Sequence, residues 1–267
     1  MKYFLYLLLV TFITSSCSTN AVTGRRQLSL FPETTLQAEA LTQYRSFLSK
    51  SKVLSNSSNT NAEMVNRVGN RLAKAISNYY KSKTNPIDLS GYQWEFHLVE
   101  DKQANAWCMP GGKVVVYTGL LPITQNEAAL AVVMGHEIAH ALAQHGNERM
   151  SQAAVAQGLQ VAGNTFTSGN TRANHLFNQV FVPGAQVGVL LPNSRKQELE
   201  ADKYGLLFTA MAGYNPQEAI AFWQRMASAS GSAKAPQLLS THPADETRIA
   251  QLKKMMPQAL KYYKPVR

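Results

Sequence analysis

The chain has 267 residues, 45% of them hydrophobic, and its 26 Lys and Arg against 16 Asp and Glu give a formal charge of +10. With 16% charged and 9% aromatic residues, the composition excludes wholesale disorder, a collagen-like repeat and a coiled-coil rod, and two cysteines exclude a disulfide scaffold. The positive residues are scattered, with small groupings at Arg25-Arg26, Lys81 to Lys83 and the C-terminal tail, and no nucleic-acid motif accompanies them, so no nucleic-acid partner is expected.

Taken in chain order, residues 1–16 read as a signal peptide: Met1-Lys2, an apolar stretch from Tyr3 to Ile13, then Thr14-Ser15-Ser16 before Cys17. The apolar stretch is about half the roughly 20 residues a membrane span needs, so cleavage is expected. Small residues ending at Cys17 resemble a bacterial lipobox, with Thr14 where an aliphatic residue is usual. Cys17 is therefore the expected lipidation site, and it would tie the chain to a membrane without crossing it. Ordinary secretion, with the thiol lost alongside the signal, is the alternative. Residues 17–30 are expected to be a lipid-attached tether, and residues 31–267 a single domain.

Apolar spacing predicts helices from Pro32-Glu33 to about Ser49 and from Asn61 to Tyr80, with a Ser/Asn-rich loop between. Alternation at Trp94, Phe96 and Leu98 predicts a strand. Segments Ala104 to Met109 and Lys113 to Thr118 flank Pro110-Gly111-Gly112 and predict a hairpin. Helices follow near 124–145, 147–163, 171–181, 194–212, 215–228 and 243–256. Thr124 with Glu127 has capping-box spacing, and Ser194 with Gln197 and Asn215-Pro216 supply further start signals. A small sheet against a helical body makes the fold class α+β and predominantly helical. Trp107 and Cys108 read as packed strand residues.

Residues His136-Glu137-Ile138-Ala139-His140 form an HExxH pattern. Four helical residues advance about 6 Å and turn about 40° past a full circle, so both imidazoles leave the same face of the helix. The surrounding segment from Ala128 to Ala143 is otherwise apolar and small, and metal binding would offset the cost of a His-Glu-His cluster there. Zinc suits imidazole nitrogen, and a hydrolytic site needs one further protein ligand. In Glu198-Leu199-Glu200-Ala201-Asp202, the carboxylates of Glu198 and Asp202 share a helix face while Glu200 points elsewhere. Glu198 is assigned as ligand and Asp202 as the group orienting a histidine, although geometry alone allows the reverse. Glu137 is then the general base acting on a zinc-bound water. His145 falls five residues after His140, off the ligand face, and is expected at the surface with Gly146 ending the helix.

These motifs stand in a longer series: Thr23-Gly24-Arg25-Arg26-Gln27, Asn105-Ala106 before Pro110-Gly111-Gly112, Thr118-Gly119-Leu120-Leu121, the HExxH, Glu198 to Asp202 as ExxAD, and His242-Pro243 with Arg248. In this order they resemble the HtpX and CAAX-prenyl-protease group of gluzincin zinc metallopeptidases. The nearest likeness is to its soluble envelope branch, which holds BepA, LoiP and the mitochondrial Oma-type enzymes. Trp107, where a smaller aromatic is common, and the weak lipobox are the departures. The resemblance implies one zinc ion held by His136, His140 and Glu198, with Asp202 supporting and His242 near the metal. That histidine would be an extra, occluding ligand or would aid the transition state; a plain helix cap before Pro243 is the alternative. Arg248 is expected to pair with an acidic residue of the site or to lie on the surface. Asn105 and Ala106 are expected to open the strand edge that receives substrate. The implied function is a zinc endopeptidase acting on misfolded or exposed proteins of the bacterial envelope, lipid-anchored in the outer membrane and facing the periplasm. The alternative is a latent or chaperone-like assembly factor, shut by His242, and outer-membrane assembly machinery is the implied partner.

Overall fold

The computed structural model describes residues 17–157, 171–181, 194–229, 236–242 and 246–265. The expected signal peptide, the end of the helix expected over 147–163, and Pro243 lie outside the described residues.

Helix α1 (Glu33–Lys50) buries Leu36, Ala40 and Tyr44, and α2 (Thr60–Lys81) buries Val65, Val68, Leu72 and Ile76, in each case the stripe read from the spacing. Asn59 caps α2, its side chain accepting from the backbone N–H groups of Asn61 and Ala62. Two short strands, β1 (Cys17–Thr19) and β2 (Arg26–Leu28), form an antiparallel hairpin. Beyond them, β3 (Val53–Leu54), β4 (Glu95–Val99), β5 (Ala106–Met109) and β6 (Lys113–Tyr117) form a sheet ordered β3-β4-β6-β5. The β4–β6 pair is parallel and the other pairs are antiparallel. Gly111 and Gly112, at φ +80 and +83, turn the chain between β5 and β6, and a Cβ on Gly112 would stand 2.7 Å from the Trp94 ring.

Alternation along β6 serves two cores. Val114 and Val116 pack with Phe96, Leu98 and α2, whereas Val115 and Tyr117 pack with Leu36, Tyr44 and Trp107. Trp107 meets Tyr44 and Phe47 edge-on, as expected of a packing residue. Strand β5 is the outer strand of this sheet, and among the described residues nothing pairs with its other edge.

Helix α3 (Leu121–Thr124) is one turn long. Gln125, at φ 65, then breaks the chain, and α4 (Glu127–Leu142) starts on Asn126, whose side chain accepts from the backbone N–H of Ala129. The helix expected from Thr124 therefore begins later, and its cap is asparagine rather than a Thr124–Glu127 box. A second correction falls at the other end. Gln144, at φ 54, separates α4 from α5 (His145–Ala156), so Gly146 begins a helix instead of ending one. The Phe181 ring would lie 2.1 Å from a Cβ at Gly146, which explains the glycine. The remaining helices are α6 (Thr171–Phe181), α7 (Arg195–Met211), α8 (Glu218–Ala229), α9 (Leu238–Thr241) and α10 (Glu246–Leu260). The Ser194–Gln197 capping box forms at the start of α7 as read from the sequence.

Helices α4 and α7 form the centre of the molecule and touch through glycine. A Cβ on Gly205 would lie 2.8 Å from the His136 backbone nitrogen and 2.9 Å from its Cα. Thr209 Oγ1 donates to the Ala131 carbonyl across the same seam. The segment expected as a lipid-attached tether packs on this body: Asn20 is buried and donates to the Leu142 carbonyl at 2.9 Å, and Gln27 is buried. Among the described residues, no helix is long and apolar enough to cross a membrane. The fold is α+β and mainly helical.

Candidate metal centre

Helix α4 carries His136 and His140 one turn apart, and both are buried. Their Nε2 atoms lie 3.1 Å from each other. The first turn of α7 brings in Glu198, with Oε1 3.2 Å from His140 Nε2 and Oε2 3.4 Å from His136 Nε2. His242, the residue that closes α9, completes the group: its Nδ1 is 2.9 Å from Glu198 Oε1 and 3.2 Å from His136 Nε2. One ligand-capable atom from each of the four lies within 4.8 Å of all the others.

These separations test whether an ion fits. Two nitrogen ligands at 2.0–2.1 Å from a tetrahedral zinc stand about 3.3 Å apart, the spacing seen here. Three imidazole nitrogens and a carboxylate converge on one space, more acceptors than a single shared proton could satisfy. Glu137 Oε1 is buried with no hydrogen-bond donor, 3.5 Å from His242 Nε2. The donor set and its burial fit a divalent ion of the zinc type.

Electrostatics divide the group. Burial opposes the charge on Glu198, yet His242 and His140 hold its carboxyl well below the usual carboxylate range. Burial pushes His140 well below the usual imidazole range, so it is neutral and ready to ligate. For His136, burial and Arg248 press downward, but hydrogen bonds to Asp202 and Glu198 outweigh them and push it up to about 9. A metal held at Nε2 would take the place of the proton there, leaving the Nδ1 proton donated to Asp202. Burial raises the Glu137 carboxyl above its usual value, against the pull of His242 and His136.

Asp202 does not join the four. Its Oδ1 is 3.0 Å from His136 Nδ1, the ring nitrogen turned away from the cluster. Arg248 is buried: its guanidinium donates to Asp202 Oδ1 at 2.6 Å, lies 3.1 Å from Glu198 Oε2, and covers the Trp223 ring at 3.3 Å. The surface alternative for Arg248 does not hold, and His242, besides closing α9 with its backbone, directs its ring into the site.

Asn105 and Ala106 line the same cleft as Glu137, His140 and His242. Asn105 is occupied internally, donating to Gln237 Oε1 and accepting from the Ala106 N–H. Cys108 lines the cleft as a half-buried free thiol rather than a sealed one. The expectation for His145 is corrected. It is fully buried, with Nδ1 2.8 Å from His140 Nδ1 and Nε2 2.9 Å from Glu200 Oε2. Cys17 is the first described residue and opens β1.

Comparison with known proteins accords with this geometry. The mitochondrial metalloendopeptidase OMA1 of Saccharomyces cerevisiae is 36% identical over 206 residues, covering 74% of this chain and 57% of that protein. The human mitochondrial metalloendopeptidase OMA1 is 27% identical over 278 residues, 96% of this chain and 49% of that protein. The beta-barrel assembly-enhancing protease of Yersinia pestis is 30% identical over 193 residues, 70% of this chain and 37% of that protein. The chain thus spans about half the length, or less, of the curated relatives it matches. Residues 59–256 match the sequence profile of peptidase family M48, a stretch that includes all four convergent side chains. On that match the chain belongs to peptidase family M48.

Proposed function

We propose that this chain is a zinc-dependent endopeptidase that cuts misfolded or exposed proteins of a bacterial envelope, attached to the membrane through acylated Cys17. The convergence of His136, His140 and Glu198 beside Glu137 carries the reading. A bound zinc ion supplies a Lewis acid and a water acidic enough to lose its proton near neutral pH. Glu137, buried and raised, takes that proton as the peptide carbonyl is attacked and returns it to the leaving amine. Asp202 holds the outer nitrogen of His136, and Arg248 ties Asp202 to Glu198 so that ligand and support move together. An extended substrate adds along the open edge of β5, entering at Asn105 and Ala106. The envelope location and a role beside outer-membrane assembly machinery draw on the signal pattern and on the Yersinia relative.

The position of His242 favours a latent form of the same enzyme. Its Nδ1 lies beside His136 Nε2 and Glu198 Oε1, and as a fourth ligand to a bound ion it would take the position that substrate and water require. The test is cleavage of an unfolded reporter by the zinc-loaded chain. Glu137→Gln is expected to abolish cleavage while zinc is retained, and His242→Ala is expected to raise it. Cleavage that survives Glu137→Gln refutes the role given to Glu137, and zinc-loaded protein inert with and without His242 refutes the enzyme and leaves the chaperone-like alternative.

A further inference from the structure

The two histidines of the centre are supported unequally. His136 has a carboxylate, Asp202, directly on its outer nitrogen, whereas the outer nitrogen of His140 meets another imidazole. With His140 Nε2 turned into the ligand group, its Nδ1 carries the proton and donates to His145 Nδ1 at 2.8 Å. His145 is then protonated on Nε2, which donates to Glu200 Oε2 at 2.9 Å. The same carboxylate oxygen accepts from Arg25 Nε at 2.8 Å. The fork of Arg25 grips Glu148 with two bonds, of 2.8 and 2.7 Å, and Gln197 holds Glu148 from α7. An arginine never yields its charge, so every proton along this line has one consistent place.

The line is no surface pairing. His145 is 0% exposed, and the side chains of Arg25, Glu148 and Glu200 are 15%, 10% and 13% exposed. Arg25 comes from the N-terminal segment, Glu148 from α5 and Glu200 from α7, so the line joins three parts of the chain distant in sequence.

We propose that His145, Glu200 and Arg25 are positioning residues for His140, a relay that fixes its tautomer and aim and gives the N-terminal segment a hold on the metal centre. The proposal rests on the zinc-site reading above. Losing an outer partner of a ligating histidine typically costs 10- to 100-fold in metal affinity.

The test is zinc affinity of the full chain by chelator competition, with the visible spectrum of the cobalt(II) form as a second readout and circular dichroism of the metal-free form to verify folding. His145→Leu is expected to lose about tenfold or more and to shift the cobalt spectrum. His145→Asn keeps an acceptor for His140 and is expected to recover most of that loss. Glu200→Gln and Arg25→Ala are expected to lose a few-fold, since each acts through one further bond. Affinities within about twofold of wild type and an unchanged spectrum across the folded variants overturn the relay. If His145→Leu does not fold, Glu200→Gln and Arg25→Ala decide by the same criterion. A wild-type chain that binds no zinc overturns the metal-centre reading itself, whereas a wild type that binds beside indifferent variants overturns only the relay.

Discussion

Replacing Gly205 by alanine tests whether close helix contact sets the ligand geometry. The added Cβ would stand 2.9 Å from His136 Cα and 2.8 Å from its nitrogen, against about 3.5 Å for an unstrained carbon contact. Helices α4 and α7 must then separate by roughly 0.6 Å at the level of His136. Ligand distances at a metal site tolerate about 0.2 Å, and His136 and Glu198 sit on opposite sides of this seam. Overpacking of this kind costs about 1–3 kcal/mol, and removing a helical glycine returns about 1 kcal/mol, leaving a net loss of up to about 2 kcal/mol. The larger effect is on zinc, whose affinity is expected to fall at least about tenfold while the metal-free chain remains folded. Chelator competition and urea unfolding with and without zinc separate the two effects. Gly91→Ala is the control, because its Cβ would find nothing nearer than 3.7 Å. A Gly205→Ala chain that binds zinc as tightly as wild type refutes the argument that the glycine seam sets the ligand spacing.

Zinc at a thousandfold excess over its Kd is expected to stabilise the fold by about 4 kcal/mol, and chelation to remove this, which the urea midpoint reports; a midpoint indifferent to zinc counts against the site. Glu33 is pushed up from 4.5 to about 7 by burial, which outweighs its bond from Gln37. The folded state therefore holds this proton to higher pH than the unfolded state, so the stability it contributes is complete below about pH 4.5 and is lost as pH rises through about 7. Glu33→Gln should flatten that decline, raising stability at pH 8 by up to about 3 kcal/mol and leaving pH 4.5 unchanged; parallel pH curves exclude it. Asn126→Ala removes the acceptor for the Ala129 N–H at the start of α4 and should lower the urea-derived stability by about 1 kcal/mol, with no change supporting a start elsewhere.

Much of the centre could be read from the sequence because one apolar helix carries His136 and His140 four residues apart, and helical geometry then leaves little freedom. The choice between Glu198 and Asp202 was open, since both lie on one face of α7. Their depth along that helix separates them: Glu198 in the first turn reaches the cluster, while Asp202, a turn later, reaches the far nitrogen of His136. His145 was misplaced for a definable reason. Counting the helical phase from His140 assumes an unbroken helix, and the left-handed Gln144 breaks it, so the phase does not carry across. Thr124 and Asn126 are both capable caps, and the positive φ of Gln125 between them selects Asn126. Strands β1 and β2 are three residues long, too short to show a period, and the pairing of Arg25 with Glu148 and Glu200 spans more than a hundred residues. Such a contact has no local signature.

The buried Asn20 sets a limit on reach. It is fastened to the Leu142 carbonyl, two residues beyond His140, and it stands only three positions after Cys17, at most about 11 Å of extended chain. If Cys17 carries acyl chains, there is no leash: the helix bearing His136 and His140 is held against the lipid surface, and polypeptides within a body-length of the bilayer are the ones within its reach.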